Sequence, residues 1–130
     1  MLARYTIYRG KRPDGVELPN GVRQDTRKHT RHCLRPPAEA VAVYLACPTP
    51  EAWRKFEAEY LECLKARYDA DSAPFDELAR LATNGDVFLG CSCPTRKNPD
   101  VNHCHTMPAL RFMRRRYPRL DVRFPPRQSP

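Results

Sequence analysis

Three of the six cysteines and two of the four histidines lie in one short stretch, CSCPTRKNPDVNHCH from Cys91 to His105. Thiolates and neutral imidazoles are metal ligands, and each can also act as a nucleophile or a base. Cys91 and Cys93 share a face if the strand before them continues through them, and His103 and His105 do so if their segment is extended. Cys-x-Cys plus His-x-His could then surround one ion with sulfur and nitrogen donors, and zinc takes such a set tetrahedrally. Cys91, Cys93, His103 and His105 are therefore the candidate metal ligands. Cys104 and His105 are neighbours that point apart, so at most one of that pair ligates.

Two other chemistries fit the same residues. Cys104 sits beside the expected start of the last helix, where free amides and the helix dipole stabilise a thiolate. With His105 as base or orienter, Cys104 and His105 form a candidate catalytic pair. The same helix mouth suits a phosphate, with Arg96 and Lys97 on the loop and Arg111 and Arg114 on the helix as ligand-binding residues. A plain structural reading stands beside these, because buried thiols are common in ordinary interiors and a histidine at a helix start is an ordinary polar residue. Cys33 follows His29 and His32 and could add a ligand, though HTRHC reads more simply as a basic loop. Cys47 and Cys63 read as small buried residues.

The elements that must position these residues follow from periodicity and punctuation. Residues 3–8 alternate and form a strand. Residues 9–37 are rich in Gly, Pro and charge and read as a long loop, with a hairpin near Asp14-Gly15 and Asn20-Gly21. Residues 38–46 read as a short helix. Thr49-Pro50-Glu51 starts a longer helix that runs to about Tyr68, with Trp53, Phe56, Tyr60, Leu61, Leu64 and Tyr68 on one face. Asp71 or Ser72 caps the next helix, with Phe75, Leu78 and Leu81 inward, and Asn84-Gly85 ends it. Val87, Phe88 and Leu89 form a buried strand. Residues 105–117 form the last helix, with Met107, Leu110, Met113 and Tyr117 inward, and Pro118 stops it. LDVRF (residues 120–124) reads as a closing strand. This alternation predicts an α/β fold with a short, mainly parallel sheet and a long N-terminal loop region.

The 130 residues carry a net charge of +8, and 29% are charged. One domain is expected, with a basic strand and loop region over 1–49, an α/β core over 50–124 and a frayed tail over 125–130. Arginines crowd both ends of the chain around a more acidic middle. They could form one phosphate-binding face, or only a solvated surface. The longest apolar run, Ala40 to Cys47, is too short to cross a bilayer, so no membrane role is expected. No signal peptide is read at the N-terminus. Cysteines without a secretory signal point to a reducing, cytoplasmic setting. No GxGxxG or Walker loop occurs, so a standard dinucleotide or NTP site is not supported.

PEAWRKFEAEYLECL, FDELARLATNGDVFLGCSC and NHCHTMPALRFM together resemble the YeaO-like family, domain of unknown function 488. Trp53, Phe56, Tyr60 and Leu64 match its aromatic helix, Val87 to Cys91 its strand, and Cys104-His105 its helix start. The Cys-x-Cys followed by Cys-His is also similar to a related group, domain of unknown function 4326, which has a shorter loop between the pairs. The resemblance covers roughly residues 50–117. It implies a small Rossmann-like three-layer domain with a site near Cys91, Cys93, Cys104 and His105, and it carries no settled activity. Residues and resemblance together lead to a site that binds or processes a phosphate-bearing ligand, nucleotide or nucleic acid. The alternative is a non-catalytic, zinc-stapled basic module that binds nucleic acid. Whether the site is enzymatic stays open on the sequence.

Overall fold

The fold is given by a computed structural model that describes residues 1–126. Three strands and four helices follow one another: β1 (Leu2–Thr6), β2 (Val22–Asp25), α1 (Ala38–Ala46), α2 (Pro50–Ala70), α3 (Ala73–Asn84), β3 (Val87–Cys91) and α4 (Thr106–Arg116), with a 3-10 turn at Val101–His103 before α4. The sheet runs β1-β3-β2, and β3 pairs parallel with both neighbours. The helices pack on this sheet, so the expected α/β class with a short parallel sheet is what the chain adopts.

The helices form where apolar spacing and caps agree. The Thr49 hydroxyl accepts a hydrogen bond from the Ala52 amide at 3.0 Å, and Pro50 opens α2. Trp53, Phe56, Tyr60 and Leu64 are buried along one stripe, while Leu61 and Tyr68 are half-buried at its edge. Phe75, Leu78 and Ala82 of α3 and Leu110 and Met113 of α4 join the same core as Leu2, Val87 and Leu89. Leu81 is half-buried at the margin of that core. The arginines of the last turn of α4 (Arg114, Arg115 and Arg116) complement the negative end of the helix dipole. Among the described residues, no helix is long and apolar enough to cross a membrane.

Four expectations are corrected. The stretch 9–37 is not all loop, because it contains β2. That strand is four residues long, with Val22 and Arg23 exposed, and so shows no apolar alternation. The glycines at 15 and 21 do not build a hairpin. A turn closes from Val16 N–H to the Pro13 carbonyl with Gly15 at φ 79°, and Gly21 leads into a strand that pairs parallel. LDVRF is not a strand, since it touches the sheet through a single bridge, Leu2 to Val122. The Asp121 carbonyl and the Arg123 amide bond Leu2 on either side of that bridge, and nothing extends it. Cys47 is exposed and Cys63 half-buried. Of the expected frayed tail, residues 127–130 lie outside the described residues.

Side chains close the segment between β2 and α1 onto the core. The buried Tyr60 hydroxyl donates to the Leu34 carbonyl, and Arg67 donates to the carbonyls of Cys33 and Arg35 at 2.9 and 2.7 Å. His32 accepts the Leu34 amide at Nδ1 (3.0 Å) and meets the Gln24 side-chain oxygen through Nε2 (2.6 Å), which fixes a neutral imidazole with its proton on Nε2.

Gly21 has φ 148°, and a Cβ there would lie 2.5 Å from the Asp86 carbonyl oxygen, so backbone would have to shift to admit it. Gly21→Ala is expected to destabilise the protein by about 1–3 kcal/mol, read as a lower denaturant midpoint. Burial, followed by the nearby His105, depresses the His32 pKa from 6.5 to about 4. The unfolded chain therefore takes up this proton first as pH falls. The stability His32 contributes is present above the unfolded pKa and is lost between about pH 7 and pH 4, on the order of 3 kcal/mol. Denaturant titrations across that range should show a steeper loss for the wild type than for a His32→Gln variant.

Candidate metal centre

The carboxyl end of β3 delivers Cys91, and the chain immediately beyond it delivers Cys93. The 3-10 turn then returns the chain so that Cys104 comes in just before α4. The Asp100 carboxylate caps that turn by accepting the Asn102 amide at 2.9 Å. The Sγ atoms of Cys91, Cys93 and Cys104 all lie within 4.8 Å of one another. Cys91 and Cys104 are buried and Cys93 is half-buried. Among the described residues this is the group of donor atoms close enough to hold a metal ion, and zinc is an ion that such a set suits.

The predicted histidines separate. His105 stays beside the cluster, with Nδ1 4.0 Å from Cys104 Sγ. Its Nε2 lies 2.9 Å from the Thr26 hydroxyl, which also donates to the Gly90 carbonyl at 3.0 Å. A hydroxyl has one proton, so His105 must donate from Nε2, and its Nδ1 faces the sulfur side. His103 lies outside the sulfur group, though it lines the same cavity as the cysteines. Its ring stacks on Trp53 at 5.1 Å, and its Nδ1 lies 3.4 Å from the Tyr44 hydroxyl. Cys33 stands apart from the group with His32, and burial raises its thiol pKa to about 11.

The three sulfurs share their protons unequally. Hydrogen bonds from the Cys91 and Cys93 thiols, aided by His105, hold Cys104 well below the usual thiol range although burial opposes it. The Thr106 hydroxyl adds a donor to Cys104 Sγ at 3.1 Å. Cys91 is pushed up, first by Cys104 and then by Cys93 and burial. Cys93 is pushed up to about 11, chiefly by Cys104. Cys104 is therefore the thiol of the three that gives up its proton most readily. The Asn98 side-chain amide donates to Cys93 Sγ at 3.3 Å and to the His103 carbonyl at 2.7 Å, which ties both ends of the loop together.

A cavity of about 340 Å³ adjoins the cluster, and all three cysteines and His105 line it. Tyr44, Trp53 and Phe56 form an aromatic wall contributed by α1 and α2. Arg27 and Lys28 enter from the loop after β2. Asp25 holds Arg27 through Nε and Nη2, at 3.0 and 2.8 Å. The predicted basic residues lie elsewhere. Arg96 and Lys97 are exposed on the loop between the cysteine pairs and do not line this cavity. Arg111 pairs with Glu57 at 2.9 Å, and Arg114 lies 4.9 Å over the Phe124 ring; both line a separate depression.

The chain matches no family model, no curated protein and no solved structure.

Thr26 and Arg27 were not among the sequence candidates. Both follow β2, whose polar residues carry no strand signal, so nothing placed them at the end of the sheet. Thr26→Val keeps the shape but leaves the His105 Nε2 proton without a partner, while the Gly90 carbonyl keeps only the backbone amide of residue 26. It is expected to cost about 1–3 kcal/mol of stability, checked by urea unfolding.

Proposed function

We propose that the protein is a zinc-dependent binder of a small phosphate-bearing ligand. In this reading Cys91, Cys93 and Cys104 hold the ion, and its fourth position faces the cavity. The observation that carries it is the grouping of three sulfurs within 4.8 Å on the wall of a cavity large enough for a ligand. Zinc–sulfur bonds of about 2.3 Å set tetrahedral sulfurs about 3.8 Å apart, so the three need draw in by only about 1 Å. Three protein ligands with an open fourth site is the arrangement by which zinc engages an exchangeable molecule. The aromatic wall favours a planar or apolar ligand body, and Arg27 and Lys28 favour an anionic end. His105 places its Nδ1 beside the ion as a base or orienter.

A metal-free thiol is the second reading, and the low pKa of Cys104 favours it. Its burial argues against it, since Cys104 is 1% exposed and a nucleophile needs access. The nucleic-acid version of the function would use the exposed arginines, Arg111 and Arg114 included, and would show affinity that falls steeply with salt. Kinship with the YeaO-like family is part of this proposal; it supplies a fold and no reaction.

Protein purified without chelator or immobilised nickel is expected to contain about one equivalent of zinc, lost in Cys91→Ser and Cys104→Ser. Cobalt substitution should give thiolate charge-transfer bands that phenyl phosphate perturbs. Iodoacetamide labelling of Cys91, Cys93 and Cys104, followed by peptide mapping because Cys47 is exposed, should be slow until a chelator is added. Negligible zinc, with fast labelling that phenyl phosphate slows, would replace the metal reading with the thiol one.

A further inference from the structure

Arg4 lies on β1, opposite Leu89 of β3, and Thr6 lies opposite Cys91. Alternation puts Arg4 and Thr6 on one face of the strand. The Arg4 guanidinium spends its donors on three groups. Nε donates to the Thr106 hydroxyl at 3.1 Å, Nη1 to the Thr6 hydroxyl at 3.3 Å and Nη2 to the Cys93 carbonyl at 2.8 Å. Thr6 in turn donates to the same Cys93 carbonyl at 2.9 Å.

The directions of these bonds follow from the side-chain chemistry. Arginine has no acceptor, so the Thr106 oxygen must receive the Arg4 proton. The single hydroxyl proton of Thr106 is then free to point at Cys104 Sγ, 3.1 Å away. Thr106 is fully buried. Arg4 thus aims one hydroxyl at the Cys104 sulfur and holds the carbonyl of Cys93, so it reaches two of the three sulfur-bearing residues.

We infer that Arg4 is the positioning residue and counter-charge of the metal centre. This rests on the proposed zinc reading. A divalent ion with three thiolates carries a net charge of −1, and the guanidinium brings the assembly to neutrality. Outer partners of this kind orient ligands and tune affinity, and their loss typically costs about 10–100-fold in metal binding. The fixed fork of arginine matters here, because lysine can supply the charge but not three diverging bonds.

The test measures zinc affinity by competition with a chromophoric chelator, and the cobalt spectrum, in wild type, Arg4→Met, Arg4→Lys and Thr106→Val. Unfolding of each is followed with and without zinc. Arg4→Met is expected to bind zinc about 10–100-fold more weakly, Arg4→Lys to recover part of that loss, and Thr106→Val to show a smaller loss with shifted thiolate-to-cobalt bands. The stabilisation gained on adding zinc should shrink in the same order. A purely structural role would lower stability equally with and without zinc and leave affinity and spectrum unchanged, which would overturn the inference. If Arg4→Met does not fold, Arg4→Lys and Thr106→Val decide the matter. A wild type that binds neither zinc nor cobalt would overturn the zinc reading and this inference together, whereas zinc binding untouched by the variants would overturn this inference alone.

Discussion

The central strand β3 must satisfy two neighbours at once, and the rest of the molecule is arranged around that requirement. Its backbone groups have no other partners in the interior, so β1 and β2 have to run alongside it in register. Gly90 makes the crowding at its far end possible. A Cβ there would lie 2.7 Å from Ile7 and 2.8 Å from Tyr5, so those side chains occupy the space that a larger residue would need. One consequence is the bracketing of Cys91 by two threonines. Thr6 sits opposite it on β1, and Thr26 follows β2 with both its amide and its hydroxyl on the Gly90 carbonyl.

Burying polar sulfur and imidazole at that end is unfavourable unless each group finds a partner. The chain meets this with neutral donors and one cation. Thr106 and Asn98 donate to sulfur, Thr26 receives the His105 proton, and Arg4 reaches both the loop and the helix start. Each donor comes from a different segment, so the centre cannot assemble before β1, the loop after β2 and the start of α4 have docked. Site geometry and tertiary fold are thus one event here rather than a rigid scaffold with a loop added to it.

The helices could be read from the sequence because their signals are local. Thr49-Pro50 and the 53-56-60-64 stripe depend on residues within a few turns of one another, and the structure places them as their spacing indicates. β2 could not be read, because Val22-Arg-Gln-Asp owes its conformation to β3, more than sixty positions away in the chain. The cysteines were legible as a group, but not the choice among donors. His-x-His spacing made His103 look equivalent to His105, whereas the 3-10 turn sends His103 to Trp53. Arg4 was one arginine among many. Only the pairing of β1 with β3 gives it a destination.

The two outer strands finish the sheet in different ways. Beside β1 the chain returns at Val122 and covers Leu2 with two backbone bonds. Among the described residues β2 pairs only with β3, yet it is four residues long and exposes Arg23 midway. A strange chain seeking to extend the sheet there would find a short template and a charged side chain in its path. The polar composition that gives β2 no strand signal thus also makes that margin a poor template for a second copy of the chain.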